Sequence, residues 1–311
     1  MTASTRTRIG VVQFSPKHGD VEANFAKARE LIASIEPGSL DLLCFPEMAF
    51  TGYTFSADTI RPYLEDADTG PTAAFLSSLS RNLRTHVAAG FPLALAPSES
   101  RTPRLADPSA PSDDIYGRHL DANPVGANAA LLLRPDGVLA ALHRKLNLFR
   151  LDVPWAQAGE KFTTVDLGPP LGRVTLAICM DLNPALDAAH ESVFEVAEHC
   201  VREGTTLLVL LNAWLDSRED TDTHEDWCTL QYWAYRLHPL CAEREGAPEE
   251  TLVVICNRTG SEDGLTFAGS SALLRCKRGA GRAQILGVMG RDEEGVHVWT
   301  VCQQHTRTDL D

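Results

Sequence analysis

The stretch TLAICMDLNP (175–184) decides how this chain is read. Leu176, Ala177 and Ile178 form an apolar run entered from Gly172, the pattern of a core strand bounded by a turn residue. The run stops at Cys179, and Asp181, Asn183 and Pro184 follow at once. A thiol where a core strand turns polar is either inert packing or a nucleophile, because free cysteine is among the most buried residue types and also the strongest nucleophile in the set. The rest of the chain has to decide between the two.

Working outward, strand and helix patterns alternate. IGVVQF (9–14) reads as a strand, and Asp20 as the N-cap of a helix whose Val21, Phe25, Ala28, Leu31, Ile32 and Ile35 recur at helical spacing, ended by Pro37-Gly38. LDLLCFPE (40–47) predicts the next strand, 72–84 an amphipathic helix, and HVAAGFPLAL (86–95) a further strand. In 129–145 two apolar runs flank Pro135-Asp136-Gly137, a hairpin signal. Helices are expected at about 185–203 and 226–243, strands at 206–215 and 252–258, and more hairpin over 267–301. Crossover helices and hairpins together predict an α/β protein with a mixed sheet. The segment 97–114 is rich in Pro, Ser and Asp, and a flexible surface excursion is expected over about 97–125 of a single domain spanning 1–311.

Composition excludes several classes of function. Lys+Arg of 28 against Asp+Glu of 42 gives a net charge of −14, which argues against nucleic acid or an anionic membrane as partner. The eight cysteines are scattered without a C-x-x-C, which fits neither a disulfide framework nor a zinc ribbon and suits a reducing compartment. The start MTASTRTR runs into the first strand without the apolar stretch of a signal peptide, and no apolar run nears the ~18 residues of a membrane span. A cytoplasmic protein is expected. His224 and Cys228 have no partner pair at metal-ligand spacing, so no metal is expected. His190 and His199 read as helix surface, and the Trp-rich 227–235 as a core-facing helix.

Three reactive side chains share one structural address. Glu47 follows LDLLCFP, Lys145 follows VLAALHR, and Cys179 follows VTLAI, each where a predicted strand leaves the core. Open α/β sheets place their sites at such strand ends. A thiol nucleophile, a carboxylate base and an ammonium that stabilises negative charge make up an acyl-transfer set. Taken singly, each has a plainer reading: Glu47 a solvated carboxylate, Lys145 part of the solvated basic run His143-Arg144-Lys145, Cys179 a small buried hydrophobe.

FPEMAFTGY, HRKLNLF and ICMDLNP resemble the three catalytic segments of the nitrilase superfamily, the carbon–nitrogen hydrolases, in their Glu–Lys–Cys order. GVVQFSPKHGDVEANFAKA resembles the family's opening, and the likeness runs to about residue 300. NAWL, YWAYRLHPL, CNRTG, TFAGSSALL, GRDEEGV and the LNP after the cysteine resemble the protein N-terminal amidase branch. The resemblance implies the four-layer α-β-β-α sandwich of that family, no cofactor, and, from relatives that pair across a helix face, a possible homodimer.

It also implies roles. Cys179 attacks a carboxamide carbon, Glu47 takes its proton, and Lys145 with the Met180 backbone N–H holds the oxyanion. Ammonia leaves a thioester, and water then releases the acid. Many members have a second carboxylate supporting the lysine, for which Asp152 and Glu160 are the candidates, Asp152 the favoured one. The branch implies substrates with N-terminal Asn or Gln and a role in N-degron production. Asp181 is a candidate partner for the substrate ammonium, Asn183 and Trp214 for pocket walls, and Thr54 and Phe55 for bordering residues after Glu47. The alternatives are an amidase acting on a small amide, carbamoyl compound or nitrile, and, in a different class, a catalytically idle binding or scaffold relative. The intact Glu47, Lys145 and Cys179 argue against the last.

Overall fold

Period-two alternation sorts the strands' side chains into separate cores. In the strand Arg173–Ile178, Leu176 and Ile178 enter one cluster while Ala177 enters another, and all three are fully buried. Strands covered on both faces read as continuous apolar runs, which is why VTLAI, LLVLLN and LVVIC show no polar alternation. The computed structural model describes residues 4–96, 99, 124–184, 193–219 and 221–304.

Among these the first half carries β1 (Ser4–Gln13), α1 (Val21–Leu31), β2 (Leu42–Cys44), the short α2 (Ala57–Ile60), α3 (Pro71–Leu83), β3 (His86–Ala94), β4 (Gly126–Leu133) and β5 (Leu139–Arg144). The second half carries β6 (Thr163–Asp166), β7 (Arg173–Ile178), α4 (Glu195–Glu203), β8 (Leu207–Asn212), α5 (Trp227–Arg236) and β9 (Glu250–Asn257). It ends with a small pair, β10 (Ser261–Glu262) and β11 (Leu265–Thr266), then β12 (Ala272–Lys277), β13 (Gln284–Val288) and β14 (Gly295–Gln304). One six-stranded sheet has the order β14-β1-β2-β3-β4-β5 and the other β13-β12-β9-β8-β7-β6.

The sheets pack face to face. Ile9, Val11, Leu42, Cys44 and Leu132 of the first meet Leu176, Ile178, Val209, Leu211 and Val254 of the second in one cluster. On the outer face of the first sheet, Leu43, Val87 and Ala89 pack against Phe25 of α1 and Phe75, Leu76 and Leu79 of α3. On the outer face of the second, Leu208, Leu210 and Val253 pack against Val196 and Cys200 of α4 and Leu230 and Trp233 of α5. The layers are therefore α-β-β-α, as the resemblance implied.

Topology gathers the strand ends that matter. β1, β2 and β3 are parallel, and β4 and β5 reverse twice, so β5 runs with β3 and its exit lies at the same edge. β7, β8 and β9 are likewise parallel. The β4–β5 turn forms as read, with Gly137 at φ +81° and its N–H on the Arg134 carbonyl at 2.8 Å.

Several expectations need correction. The last strand does not extend the β12–β13 hairpin; β14 crosses to the other sheet and pairs antiparallel with β1. α5 stops at Arg236, because Pro239 lacks the N–H to continue it and a 3-10 turn, His238–Cys241, follows. That helix is core-facing only through residues such as Leu230 and Trp233, while Trp227, Tyr232 and Tyr235 are exposed. His199 faces inward on α4, its Nε2 at 2.9 Å from Thr164 Oγ1; His190 lies outside the described residues. The excursion at 97–125 also lies outside them apart from Glu99, Pro124 and Val125, and the last two are buried.

Candidate active site

Five segments leaving or entering the sheets bring a buried polar cluster together. Glu47 follows β2, Asn128 lies near the start of β4, Lys145 follows β5, and Cys179 and Ala213 follow β7 and β8. Glu47, Lys145 and Asn128 are fully buried, Asp152 is 1% exposed and Cys179 5%. Glu47 Oε1 accepts from Lys145 Nζ at 2.6 Å and Asn128 Nδ2 at 2.7 Å, and its Oε2 accepts from the Ala213 N–H at 2.7 Å. Lys145 Nζ also donates to Asp152 Oδ2 at 2.6 Å and reaches Tyr53 Oη at 3.3 Å. Asp152 is fixed in turn by Asn128 Nδ2 at 3.0 Å and the Phe149 N–H at 2.9 Å.

Cys179 opens a 3-10 turn, Cys179–Leu182, with φ +43°. A non-glycine residue held in the left-handed region costs about 1–3 kcal/mol and persists where surrounding structure imposes it. Here Asn212 Oδ1 accepts the Cys179 N–H at 3.1 Å, and Asp181 pins the turn that follows. Asp181 Oδ2 accepts from the Ile178 N–H at 2.9 Å and contacts His143 Nε2 at 2.8 Å; Oδ1 accepts from the Leu146 N–H at 2.8 Å and the Asn147 N–H at 3.0 Å. One carboxylate thus ties the cysteine turn to the segment after Lys145.

Charge and burial oppose each other in the cluster. Burial pushes the Glu47 carboxyl above the ordinary range, and the neighbouring Asp152 adds to this against the pull of Lys145. Burial works against the Lys145 ammonium, yet Asp152 and Glu47 outweigh it and hold the group well above the usual lysine value. Burial, then the Glu47 charge, pushes the Cys179 thiol up, opposed by Lys145 and by the Ala213 N–H. The balance favours the neutral thiol, which would need a base to become a nucleophile.

Cys179 opens onto a cavity of about 350 Å³ lined also by Met180, Asn183, Trp214, Phe149, Arg150, Ala213 and Leu215. Of the residues expected from sequence, Glu47, Lys145, Cys179 and Asp152 converge here, and Met180, Asn183 and Trp214 line the cavity. Glu160 is exposed and outside the cluster. Asp181 cannot meet a substrate ammonium, since it is fully buried with both oxygens taken by the bonds just described. Thr54 and Phe55 do not border the cavity: Thr54 bonds Glu262 and Asp263, and Phe55 packs on His18 and Tyr63.

Sequence reading missed Asn128, Tyr53, Asn212, Ala213, Phe149 and Arg150. A usable signal existed for two of them. Asn128 is the lone amide in the otherwise apolar GANAALLL, and Asn212 ends LLVLLN at the same strand-end address as Cys179. A buried amide must be hydrogen-bonded, so such residues announce a partner. Among the described residues no group of three or more His, Cys, Asp or Glu is placed to hold a metal ion, and no helix is long and apolar enough to cross a membrane.

Two facing sheets between helices, with a buried Glu–Lys–Cys cluster at their edge, define the class. The chain belongs to the carbon-nitrogen hydrolase family, whose model matches residues 8–189. Within that class it is similar to the Protein N-terminal amidase of Schizosaccharomyces pombe, at 30% identity over 311 residues, covering 94% of this chain and 98% of that one. It is more distantly similar to the chloroplastic omega-amidase of Arabidopsis thaliana, at 27% identity over 57% of this chain and 43% of that one. A crystal structure of N-terminal amidase with an Asn-Glu-Ala peptide superposes with a TM-score of 0.78 at 18% identity, covering 99% of this chain and all of that one, a likeness of fold.

Proposed function

We propose that this chain is an amidohydrolase that converts N-terminal Asn or Gln of peptides and proteins to Asp or Glu, releasing ammonia; the likeness to a relative named Protein N-terminal amidase supports the reading. The observation that carries the chemistry is the convergence of Glu47 and Lys145 at 2.6 Å with Cys179 at the mouth of a cavity of about 350 Å³. In this reading the side-chain carboxamide enters the cavity. The Cys179 thiol attacks its carbon and loses its proton to Glu47, whose raised proton affinity suits it to the task. Lys145 and the Met180 N–H, at the start of a 3-10 turn whose first N–H groups have no partner inside the turn, receive the oxyanion.

Collapse of that intermediate passes the Glu47 proton to the amide nitrogen, ammonia departs, and a thioester remains. Water, deprotonated by Glu47, adds to the thioester; breaking the C–S bond returns the proton to sulfur and frees the acid. Asp152 and Asn128 hold Lys145 and Glu47 in place. Asn183 and Trp214 are neutral groups of the lining suited to an α-ammonium. A cytoplasmic location, in keeping with buried reduced thiols such as Cys44, Cys200 and Cys256, and a place in N-degron production belong to the same proposal, as does one hydrolase domain over 1–311.

The test is ammonia release from Asn-Ala-Ala, its N-acetylated form and free asparagine, with a thioester sought on Cys179 by mass spectrometry. Turnover of the free peptide alone is expected, and Cys179→Ala should lose at least about 10⁴-fold in kcat while unfolding as the parent does. Equal turnover of the acetylated peptide, or activity in Cys179→Ala, defeats the proposal.

A further inference from the structure

The cavity contains a cation that the mechanism leaves unused. Arg150 lines it beside Phe149, and its guanidinium lies 5.5 Å from the Phe149 ring centroid. Its Nε is buried and has no hydrogen-bond partner among the described residues. Nearby cations are neutralised: Arg144 forks onto Glu99, and Lys145 has both Glu47 and Asp152. Arg150 has no ion-pair partner among the described residues. In a chain of net charge −14, a guanidinium left unpaired at the wall of a reactive cavity calls for a reason.

Among the described residues the rest of the lining is neutral: Phe149, Met180, Asn183, Ala213, Trp214, Leu215 and the Cys179 thiol. A substrate N-terminus brings a positive charge into this space, and Arg150 repels it. Repulsion by Arg150 favours an α-ammonium held by the neutral Asn183 and Trp214, with the chain beyond the first residue leaving past Arg150. A peptide carbonyl is common to every substrate and is neutral. A carboxylate matches the planar guanidinium fork with two charge-assisted hydrogen bonds.

The geometry points to Arg150 as a specificity-determining residue that selects Asp or Glu at the second position of the substrate. This rests on the N-terminal amidase reading. The same contact disfavours Lys or Arg at that position, and its effect falls on substrate capture rather than on the bond-breaking step, because the second residue does not change charge in the reaction.

The experiment compares kcat/KM for Asn-Glu-Ala, Asn-Gln-Ala and Asn-Lys-Ala, and for free asparagine, with the parent, Arg150→Gln and Arg150→Glu. The parent should favour Glu over its isostere Gln by about tenfold, mostly in KM. The ratio should fall to about one in Arg150→Gln, and Lys should become the preferred residue in Arg150→Glu. The three-peptide series on the unaltered enzyme needs no variant, so a variant that fails to fold does not protect the idea. A parent Glu/Gln ratio below about twofold, or a ratio that survives in Arg150→Gln, overturns it. So does free asparagine turning over faster than any peptide with that advantage lost in Arg150→Gln, which would make the anion an α-carboxylate. If no Asn-peptide is turned over whatever its second residue, the amidase reading itself has failed and this inference falls with it; turnover of all three at equal rates removes the inference alone.

Discussion

Two cations are buried close to the same loop, and their surroundings differ in one respect. Lys145 faces two carboxylates, Glu47 and Asp152, each at 2.6 Å. Arg258 faces one, Glu262 at 2.6 Å, and lies over the Phe267 ring at 3.9 Å. Around Lys145 there is a second carboxylate, and burial, with Asp152 adding to it against the pull of Lys145, raises Glu47's affinity for a proton beside an open cavity. Around Arg258 the charges balance. Burial pushes Glu262 up, but Arg258 and Thr54 outweigh burial and hold it at about 2, so that carboxylate stays ionised and cannot take part in proton transfer near neutral pH. A buried ion pair with a spare carboxylate is equipped to move a proton; a balanced one is equipped to hold a loop.

The largest effect that would break this comparison is on Glu47. Replacing it by Gln keeps the shape and donates where an acceptor is needed, so kcat should fall by about 10³- to 10⁴-fold, read in single-turnover ammonia release. A loss below tenfold would transfer the proton to another group and void the assignment. The acid limb of kcat/KM in the parent should lie above the ordinary glutamate value of 4.5, because burial raises Glu47. Activity is then lost on acidification while the fold persists.

The balanced pair predicts a stability effect instead. Glu262 Oε1 accepts the Tyr53 N–H at 2.7 Å, the Thr54 N–H at 2.6 Å and the Thr54 hydroxyl at 2.7 Å, and contacts His18 Nδ1 at 3.0 Å. Glu262→Gln leaves Arg258 buried without its countercharge and should cost about 3–5 kcal/mol in urea unfolding. The double variant Arg258→Met with Glu262→Gln should recover part of that. The pH dependence has a definite sign. The folded value of about 2 lies below the ordinary 4.5, so the unfolded chain binds more protons between them and stability rises with pH there. The contribution, about 3 kcal/mol, is complete above about pH 4.5 and is lost as pH falls toward 2. A double variant no more stable than Glu262→Gln alone would show that the pair is not the balanced unit described.

Much of this was legible in the sequence because strand ends are legible: an apolar run that stops at Glu47, Lys145 or Cys179 marks where a side chain emerges. What escaped depends on contacts between distant segments. Asp181 follows the cysteine by two residues and looked available to a ligand, yet its Oδ1 is taken by the backbone N–H groups of Leu146 and Asn147, and its Oδ2 contacts His143, residues that no local pattern connects to it. Thr54 and Phe55 follow Glu47 closely, but Gly52 at φ +84° turns the chain so that Tyr53, not its neighbours, reaches the site. The crossing of β14 was hidden because turn residues specify a reversal, not the strand that will receive the next segment.

Tyr53 belongs to both clusters, and it sharpens the comparison with the smallest effect. Its N–H is held by Glu262, and its hydroxyl stands 3.3 Å from Lys145 Nζ and 3.4 Å from Asp152 Oδ2. Both hydroxyl contacts are longer than the usual hydrogen-bond range, so each is weak. An ammonium has three protons to donate. Two of those on Lys145 go to carboxylates at 2.6 Å, leaving the third between the tyrosine hydroxyl at rest and the substrate oxyanion in the transition state. Tyr53→Phe therefore removes a ground-state partner and nothing that the transition state uses. Stability should fall by about 1 kcal/mol, while kcat stays within about threefold of the parent, measured by urea unfolding and ammonia release on the same preparation. A loss of kcat beyond about 100-fold would instead place the phenol among the groups that hold developing charge, and Lys145 would then share the oxyanion with Tyr53 rather than surrender the tyrosine to receive it.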